Sequence, residues 1–311
     1  NAQISWRAAT ASSPTLRTLT GKYFKKKSIL LLSCLLMLSS IILTIVGKTV
    51  GKKSSSSPGA YALKICPDLV KGLEKCVSKG IIVTCGTNGK TTTNNLMALA
   101  LEAKGYKVIC NKLGANMLSG IATTVLQEMS IFGKLKADYA CLEIDEAYTP
   151  IVFDYVKPDV MVITNLFRDQ LDRYGEIDIT SDIIKRAIKK VPNLKLVLNG
   201  DDPLCVQFGR EENVKAYYYG ISEKVLPQLD DTKEGRFCPV CGEEQKYNYY
   251  HYSQLGDFYC PSCGFKRPEI DFEVKNVSLD TPMKFTINNQ PMVINYKGFY
   301  NIYNLIAVYG A

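Results

Sequence analysis

The chain has 311 residues, room for about two domains, and its 46% apolar content supports a real core while 22% charged residues is ordinary for a soluble protein. The net charge of +8 belongs to one end: Arg7, Arg17, Lys22, Lys25, Lys26, Lys27, Lys48, Lys52 and Lys53 meet no acid before residue 54. Taking those nine from the 38 Lys and Arg leaves 29 against 30 Asp and Glu, so the charge is no argument for a nucleic-acid-binding body. The 11 cysteines are odd in number and four have metal-site spacing, which favours a reducing cytosol over a secreted disulfide framework.

Residues 1–24 are rich in Ser, Thr and Ala without apolar periodicity and read as disordered or outside the fold. Residues 28–46 are mostly Leu and Ile, long enough for a minimal membrane span, and no small-residue cleavage site follows. Six basic residues precede this segment and three closely follow it, which would place the N-terminus inside. A phosphate loop downstream also needs the inside, and a single crossing cannot satisfy both. The segment is therefore read as a helix lying in the membrane interface or docked on the body. Residues 51–59, Gly-Lys-Lys-Ser-Ser-Ser-Ser-Pro-Gly, are a linker by composition. The basic tail, apolar helix and linker thus fill 1–59, and a globular domain is expected over 60–311.

Within that domain the pattern predicts a strand at 81–84, a helix over 94–104, a strand at 107–110, a Gly/Asn loop and a helix over 121–132. Further strands are expected at 139–144, 160–164 and 194–199, with an amphipathic helix at 177–190. Strands alternating with helices give an α/β fold with a mostly parallel sheet and helices on both faces. Ligands of such sheets bind at the carboxyl ends of the strands. From about 230 to 270 the texture changes to a Cys- and Tyr-rich insert, followed by β patterns at 271–277 and 283–287 and a helix start after Gly298.

The first predicted strand runs into Gly86-Thr87-Asn88-Gly89-Lys90-Thr91-Thr92. A small-residue loop between strand and helix exposes backbone N–H groups to phosphates, Lys90 can reach the β- and γ-phosphates, and the Thr91 hydroxyl can hold Mg²⁺. Thr84 stands where the common form of this motif has its first glycine. The strand at 139–144 ends in Glu143-Ile144-Asp145-Glu146, acids placed for a hard cation, with Glu143 the first choice. Residues 165–176, dense in polar groups, follow the strand at 160–164 and could arrange metal, water and a carboxylate substrate; a solvated loop is the plain alternative. Cys238-x2-Cys241-x18-Cys260-x2-Cys263 has the spacing of a closed, structural four-cysteine Zn²⁺ site. His251, the single histidine, reads as incidental, and Cys85 in the loop as open to oxidation.

On these residues the chain resembles the Mur ligase superfamily. The loop, the acidic strand end and Gly298-x-x-Asn301-x-x-Asn304 match that superfamily's ATP site. Leu142–Ala147, Asn165–Glu176 and the four-cysteine insert are similar to the ligase-like subunits that amidate lipid II. The resemblance implies a central ATP-binding domain over 60–311, with the superfamily's C-terminal domain expected beyond Ala311. It implies that ATP activates the α-carboxylate of the D-glutamate in the lipid II stem peptide as an acyl phosphate, which ammonia attacks to give D-isoglutamine. The ammonia would come from a glutaminase partner (GatD-like) in a heterodimer, at the inner face of the cell membrane and without nucleic acid. By the same resemblance Asn301 and Asn304 face adenine, Asp169, Gln170 and Arg173 lie near the second metal or the substrate, and Lys185 is a candidate for carbamylation. A folylpolyglutamate-type amino-acid ligase, and a zinc-ribbon NTPase binding nucleic acid or protein, are the competing readings.

Overall fold

The computed structural model describes residues 56–112, 115–130, 134–167, 176–211, 214–227 and 236–311. The apolar segment 28–46 and the Arg168–Gly175 run lie outside the described residues. Among the described residues no helix is long and apolar enough to cross a membrane.

Among the described residues eleven strands form a nine-stranded sheet and a separate two-stranded ribbon. The sheet order is β11-β10-β9-β6-β5-β4-β1-β3-β2, with β1 at Val77–Cys85, β2 at Val108–Cys110, β3 at Ala137–Glu143, β4 at Val160–Ile163, β5 at Lys195–Asn199 and β6 at Lys215–Ile221. These six and β9 (Phe272–Ser278) pair in parallel, whereas β10 (Met283–Ile287) and β11 (Gln290–Ile294) add an antiparallel edge. The expected mostly parallel sheet is therefore present, with β1 longer than the apolar run suggests. Its first residues pair with β3 across a register shift.

The helices lie on both faces, as near-continuous apolar strands require. Successive β1 residues feed opposite cores: Ile81, Val83 and Cys85 pack with Ile121 and Val125 of α3 (Leu118–Glu128), Val152 and Phe153 of α4 (Thr149–Tyr155), and Ile184 of α5 (Glu176–Ile188). Ile82 packs on the other face with Met97 and Ala98 of α2 (Lys90–Ala103) and with Ile302 and Ile306 of α7 (Tyr300–Gly310). A short helix α6 (Pro203–Val206) follows β5, capped by the Asp202 carboxylate.

Two features depart from the sequence reading. Helix α1 (Ser57–Ile65) has proline in its first turn, so Pro58 and Gly59, linker residues by composition, are buried in a helix. The Gly59 N–H donates to the Thr123 hydroxyl of α3 at 2.9 Å. Helix α2 starts at Lys90 rather than Asn94 because Gly89, at φ +81°, turns the loop directly into the first helical turn.

The ribbon is the hairpin β7 (Lys246–Tyr252) and β8 (Leu255–Tyr259). It lies inside the crossover from β6 to its parallel neighbour β9.

Candidate active site

The strand order reverses at β1: β2 and β3 lie on one side of it, β4 to β6 on the other. The loops after β1 and β4 therefore part at a switch point, where open α/β sheets hold ligands. The loop after β1 carries Gly86 at φ +126° and Gly89 at φ +81°, conformations that favour glycine. A Cβ at Gly86 would collide with the Thr164 hydroxyl, and one at Gly89 with the Asn304 amide oxygen.

The β4 end clamps this loop. The Thr87 N–H donates to the Asn165 carbonyl at 2.8 Å, the Asn88 N–H to Asn165 Oδ1 at 2.9 Å, and the Thr164 hydroxyl to the Asn88 carbonyl at 2.7 Å. The Phe167 N–H donates to Thr87 Oγ1 at 2.9 Å. Lys90 Nζ donates to the Gly86 and Thr87 carbonyls and pairs with Glu146 Oε1 at 3.1 Å. The same Glu146 oxygen accepts from the Gly86 N–H at 2.8 Å. Glu146 lies in the acidic strand end that the sequence marks, and it is the member that organises the loop.

Glu143, the first choice of that cluster, ends β3 at 2% exposure. Its Oε2 has no hydrogen-bond partner. Burial pushes its carboxyl up, while the Thr91 hydroxyl and the Lys90 ammonium pull it back. A buried carboxylate oxygen left open beside a hydroxyl is a donor set that fits a hard divalent cation.

A cavity of ≈ 370 Å³ opens beside the loop, bordered by Asn88, Gly89, Thr92, Thr164, Asn165, Phe167 and Asn304 and by Tyr219, Tyr252, Tyr300 and Tyr303. That is small-molecule size, and the mixture of aromatic surface and convergent polar groups is what such sites use. Asn304 is on the wall, its amide donating to Asn301 Oδ1 at 3.2 Å. Asn301 stands one step back and donates to the Lys297 carbonyl at 2.8 Å.

The second cluster is the ribbon tip. The sulfurs of Cys238, Cys241, Cys260 and Cys263 all lie within 4.8 Å of one another, with Cys238–Cys263 at 3.6 Å and Cys241–Cys260 at 3.5 Å. Tetrahedral thiolates around one Zn²⁺ sit about 3.8 Å apart, given a metal–sulfur distance of about 2.3 Å. The two knuckles repeat one design: Gly242 and Gly264 both have φ +76°, and their N–H groups bond the Cys238 and Cys260 carbonyls at 2.9 and 3.0 Å. Backbone N–H groups of Cys263 and Ser262 hold the Cys260 thiol down to about 7. The cluster can hold a metal ion.

Residues 83–311 match the Mur ligase middle domain. The chain belongs to the Mur ligase family. It is 36% identical over 262 residues to the MurT subunit of the lipid II isoglutaminyl synthase (glutamine-hydrolyzing) of Staphylococcus aureus, covering 84% of this chain and 58% of that protein. It is 39% identical to the MurT subunit of Streptococcus pneumoniae, covering 82% and 57%. The chain thus spans a little over half the length of these curated relatives. Among solved structures it resembles a pseudomurein peptide ligase type C from Methanothermus fervidus, with a TM-score of 0.61 at 28% identity over 76% of this chain and 46% of that one.

Within this Mur ligase domain the motif residues Gly86, Thr87, Asn88, Gly89, Lys90, Thr91, Thr92 and Glu143 come together, and Asn304 joins them from 211 residues away through the Thr93 hydroxyl at 3.4 Å. Asp169, Gln170 and Arg173 lie outside the described residues. Lys185 stands in the last turn of α5. A crossover helix runs back from the carboxyl ends of the strands, so this turn is carried away from the loop. One further expectation changes. Cys85 is fully buried, and burial raises its thiol well above the usual value, so it is shielded and not oxidation-prone. His251 is a packing residue: it is buried at 5% exposure between Tyr249, Phe299 and Tyr303, with ring centroids at 5.4, 5.3 and 6.3 Å, and burial holds its imidazole below the usual value. Its signal in the sequence was the aromatic run around it, which marks a packing surface.

Proposed function

We propose that this domain is the ATP-binding part of a ligase that amidates the D-glutamate α-carboxylate of the lipid II stem peptide, giving D-isoglutamine in peptidoglycan synthesis. The observation that carries the nucleotide chemistry is the open, buried Glu143 oxygen beside the Thr91 hydroxyl, under a loop whose N–H groups are held by Asn165 and Glu146. The substrate class rests on the likeness to the MurT subunits.

ATP would supply the phosphoryl group that turns the carboxylate into an acyl phosphate, and a bound Mg²⁺ would supply charge neutralisation for that transfer. Thr91 and Glu143 would hold the Mg²⁺. Lys90, steadied by Glu146, offers a fixed positive charge at the loop, and the N-terminus of α2 adds its dipole. Most of what the chain supplies is positioning and preorganised charge, which lowers the barrier without reorganisation during the reaction. Asn304 and the tyrosines would face the base. Asp169, Gln170 and Arg173 are assigned to the substrate side. Zn²⁺ is the ion proposed for the four cysteines, in a structural role.

The partner proposed is a glutaminase subunit (GatD-like) that delivers ammonia to the acyl phosphate, with lipid II presented at the inner face of the cell membrane. The body's near-neutral charge gives no ground for a nucleic-acid partner. The test is mass spectrometry of lipid II after incubation with full-length protein, the glutaminase partner, glutamine and Mg-ATP. The expected product is lighter by about one mass unit, acid to amide. Addition of a whole amino acid would overturn the reading in favour of a folylpolyglutamate-type ligase.

A further inference from the structure

The four-cysteine insert reads as a stability device remote from chemistry. The other end of its hairpin contradicts that. The turn between β7 and β8 reaches the carboxyl edge of the sheet, where Gln254 is 1% exposed. Gln254 Nε2 donates to the Leu166 carbonyl at 2.6 Å and to Asp202 Oδ1 at 3.2 Å. The Leu166 N–H donates to the other oxygen of the same Asp202 at 2.9 Å. The next residue, Phe167, donates to Thr87 of the phosphate loop. The turn is thus wired to the loop through two residues of the β4 end.

Tyr252, the last residue of β7, enters the cavity wall. Its ring lies 6.0 Å from Phe167 and 6.1 Å from Tyr303, two other wall residues. A second strut runs from the ribbon's exit: Arg267 Nε donates to the fully buried Asp201 Oδ1 at 2.7 Å, and Asp201 Oδ2 accepts from the Tyr303 hydroxyl at 2.7 Å and the Ile221 N–H at 2.9 Å. By contrast the ribbon's own apolar core is small: Phe258 and Phe265 with Cys238 and Cys260, closed by Val206. A two-stranded hairpin with so little core is marginal alone, and a cysteine-bound metal supplies the missing folding energy in such modules.

We infer that the ribbon is a wall of the nucleotide site: metal at the four cysteines sets Tyr252 and Gln254 in place, so metal occupancy and nucleotide affinity are coupled. Tyr252 would contact the base, and Gln254 is a positioning residue acting through Leu166 and Asp202. The inference rests on the proposed reading of the cavity as the nucleotide's. Coupling of this kind is reciprocal: the nucleotide must hold the metal in as strongly as the metal improves nucleotide binding.

The experiment uses full-length protein and Mg²⁺ with a non-hydrolysable ATP analogue, read by titration calorimetry. A colorimetric chelator reads metal release, and circular dichroism reads the fold. Tyr252→Ala is expected to weaken the analogue about tenfold, the loss typical of one base–aromatic contact, with the metal retained. Gln254→Ala should weaken it by a smaller factor and raise the KM for ATP more than it lowers kcat. Stripping the metal should weaken the analogue by at least the Tyr252→Ala factor, and saturating analogue should slow metal release. Stripped protein that keeps both the sheet signal and the wild-type affinity overturns the coupling, as does a Tyr252→Ala variant with unchanged affinity. Wild-type protein that binds no analogue overturns the nucleotide reading itself and the coupling with it.

Discussion

The phosphate loop is made by consecutive residues, Gly86 to Thr91, and its shape is in the backbone: two positive φ angles and N–H groups held from the two neighbouring strand ends by Asn165 and Glu146. The aromatic wall of the same cavity is made of side chains, spread from Tyr219 on β6 through Tyr252 on β7 to Tyr300 and Tyr303 on α7. The loop stands on β1, an interior strand of the sheet between β3 and β4. The wall depends on an insert, the helix α7 and a buried ion pair. One half of the site is thus fixed by short-range geometry and the other by long-range packing, and the two should fail differently.

Asp201→Ala should show the largest effect, and on stability. It leaves Arg267 at 12% side-chain exposure without its partner and removes the acceptor of the Tyr303 hydroxyl. Breaking such a pair costs about 3–5 kcal/mol, measurable by urea denaturation, with nucleotide affinity falling alongside. Lys90→Ala should do the opposite. It lowers ATP-dependent amidation by about 10²–10³-fold in kcat, the scale for one preorganised charge, while the denaturation midpoint moves less than for Asp201→Ala, because the orphaned Glu146 side chain, at 15% exposure against 0% for Asp201, keeps the Gly86 N–H as a donor. An unchanged rate would remove the loop from the mechanism.

Glu143→Gln sharpens the contrast. The folded state holds the Glu143 proton more tightly than the unfolded chain does, so metal-free stability falls as pH rises from the ordinary carboxyl value through the raised one. Mg²⁺ needs the carboxylate, so its affinity rises over the same window and levels off above it. The glutamine variant should therefore be the more stable protein at neutral pH without metal, and lose the Mg²⁺ dependence of nucleotide binding. Calorimetry from pH 5 to 8 checks both. Asn301→Ala should be the mildest change, about 1 kcal/mol, since it removes a brace to Asn304 and an exposed bond to the Lys297 carbonyl.

The same division governs what the sequence disclosed. Gly86-Thr-Asn-Gly-Lys-Thr91, the acidic end of β3 and the paired Cys-x2-Cys knuckles are local patterns, and each stands where its spacing implies. Strand β6 was not foreseen, because Ala216-Tyr-Tyr-Tyr-Gly220 has no two-residue alternation, its tyrosines being shared between the sheet core and the cavity. Helix α4 is only seven residues long, too short for a periodic signal, though Pro150 in its first turn is a start signal. Helix α1 hides behind Pro58 and Gly59, which read as linker until packing on α3 shows otherwise. The roles of Tyr252, Gln254 and Asp201 are legible in no window of sequence, since each acts on residues 50 or more positions away.

The bond from Thr93 to Asn304 joins positions 211 residues apart, and this sets a clock on a growing chain. Domains form as they are synthesised, at about 5–20 residues per second. The strand and loop that would grip the phosphates can be in place while α7 is still unmade. For roughly ten seconds or more at that rate, the nascent protein would own a phosphate cradle with no lid of aromatic rings, and β6 would wait through its long insert for β9 to pair with it. A nucleotide bound at full strength would then mark a chain in which α7 is already packed in place.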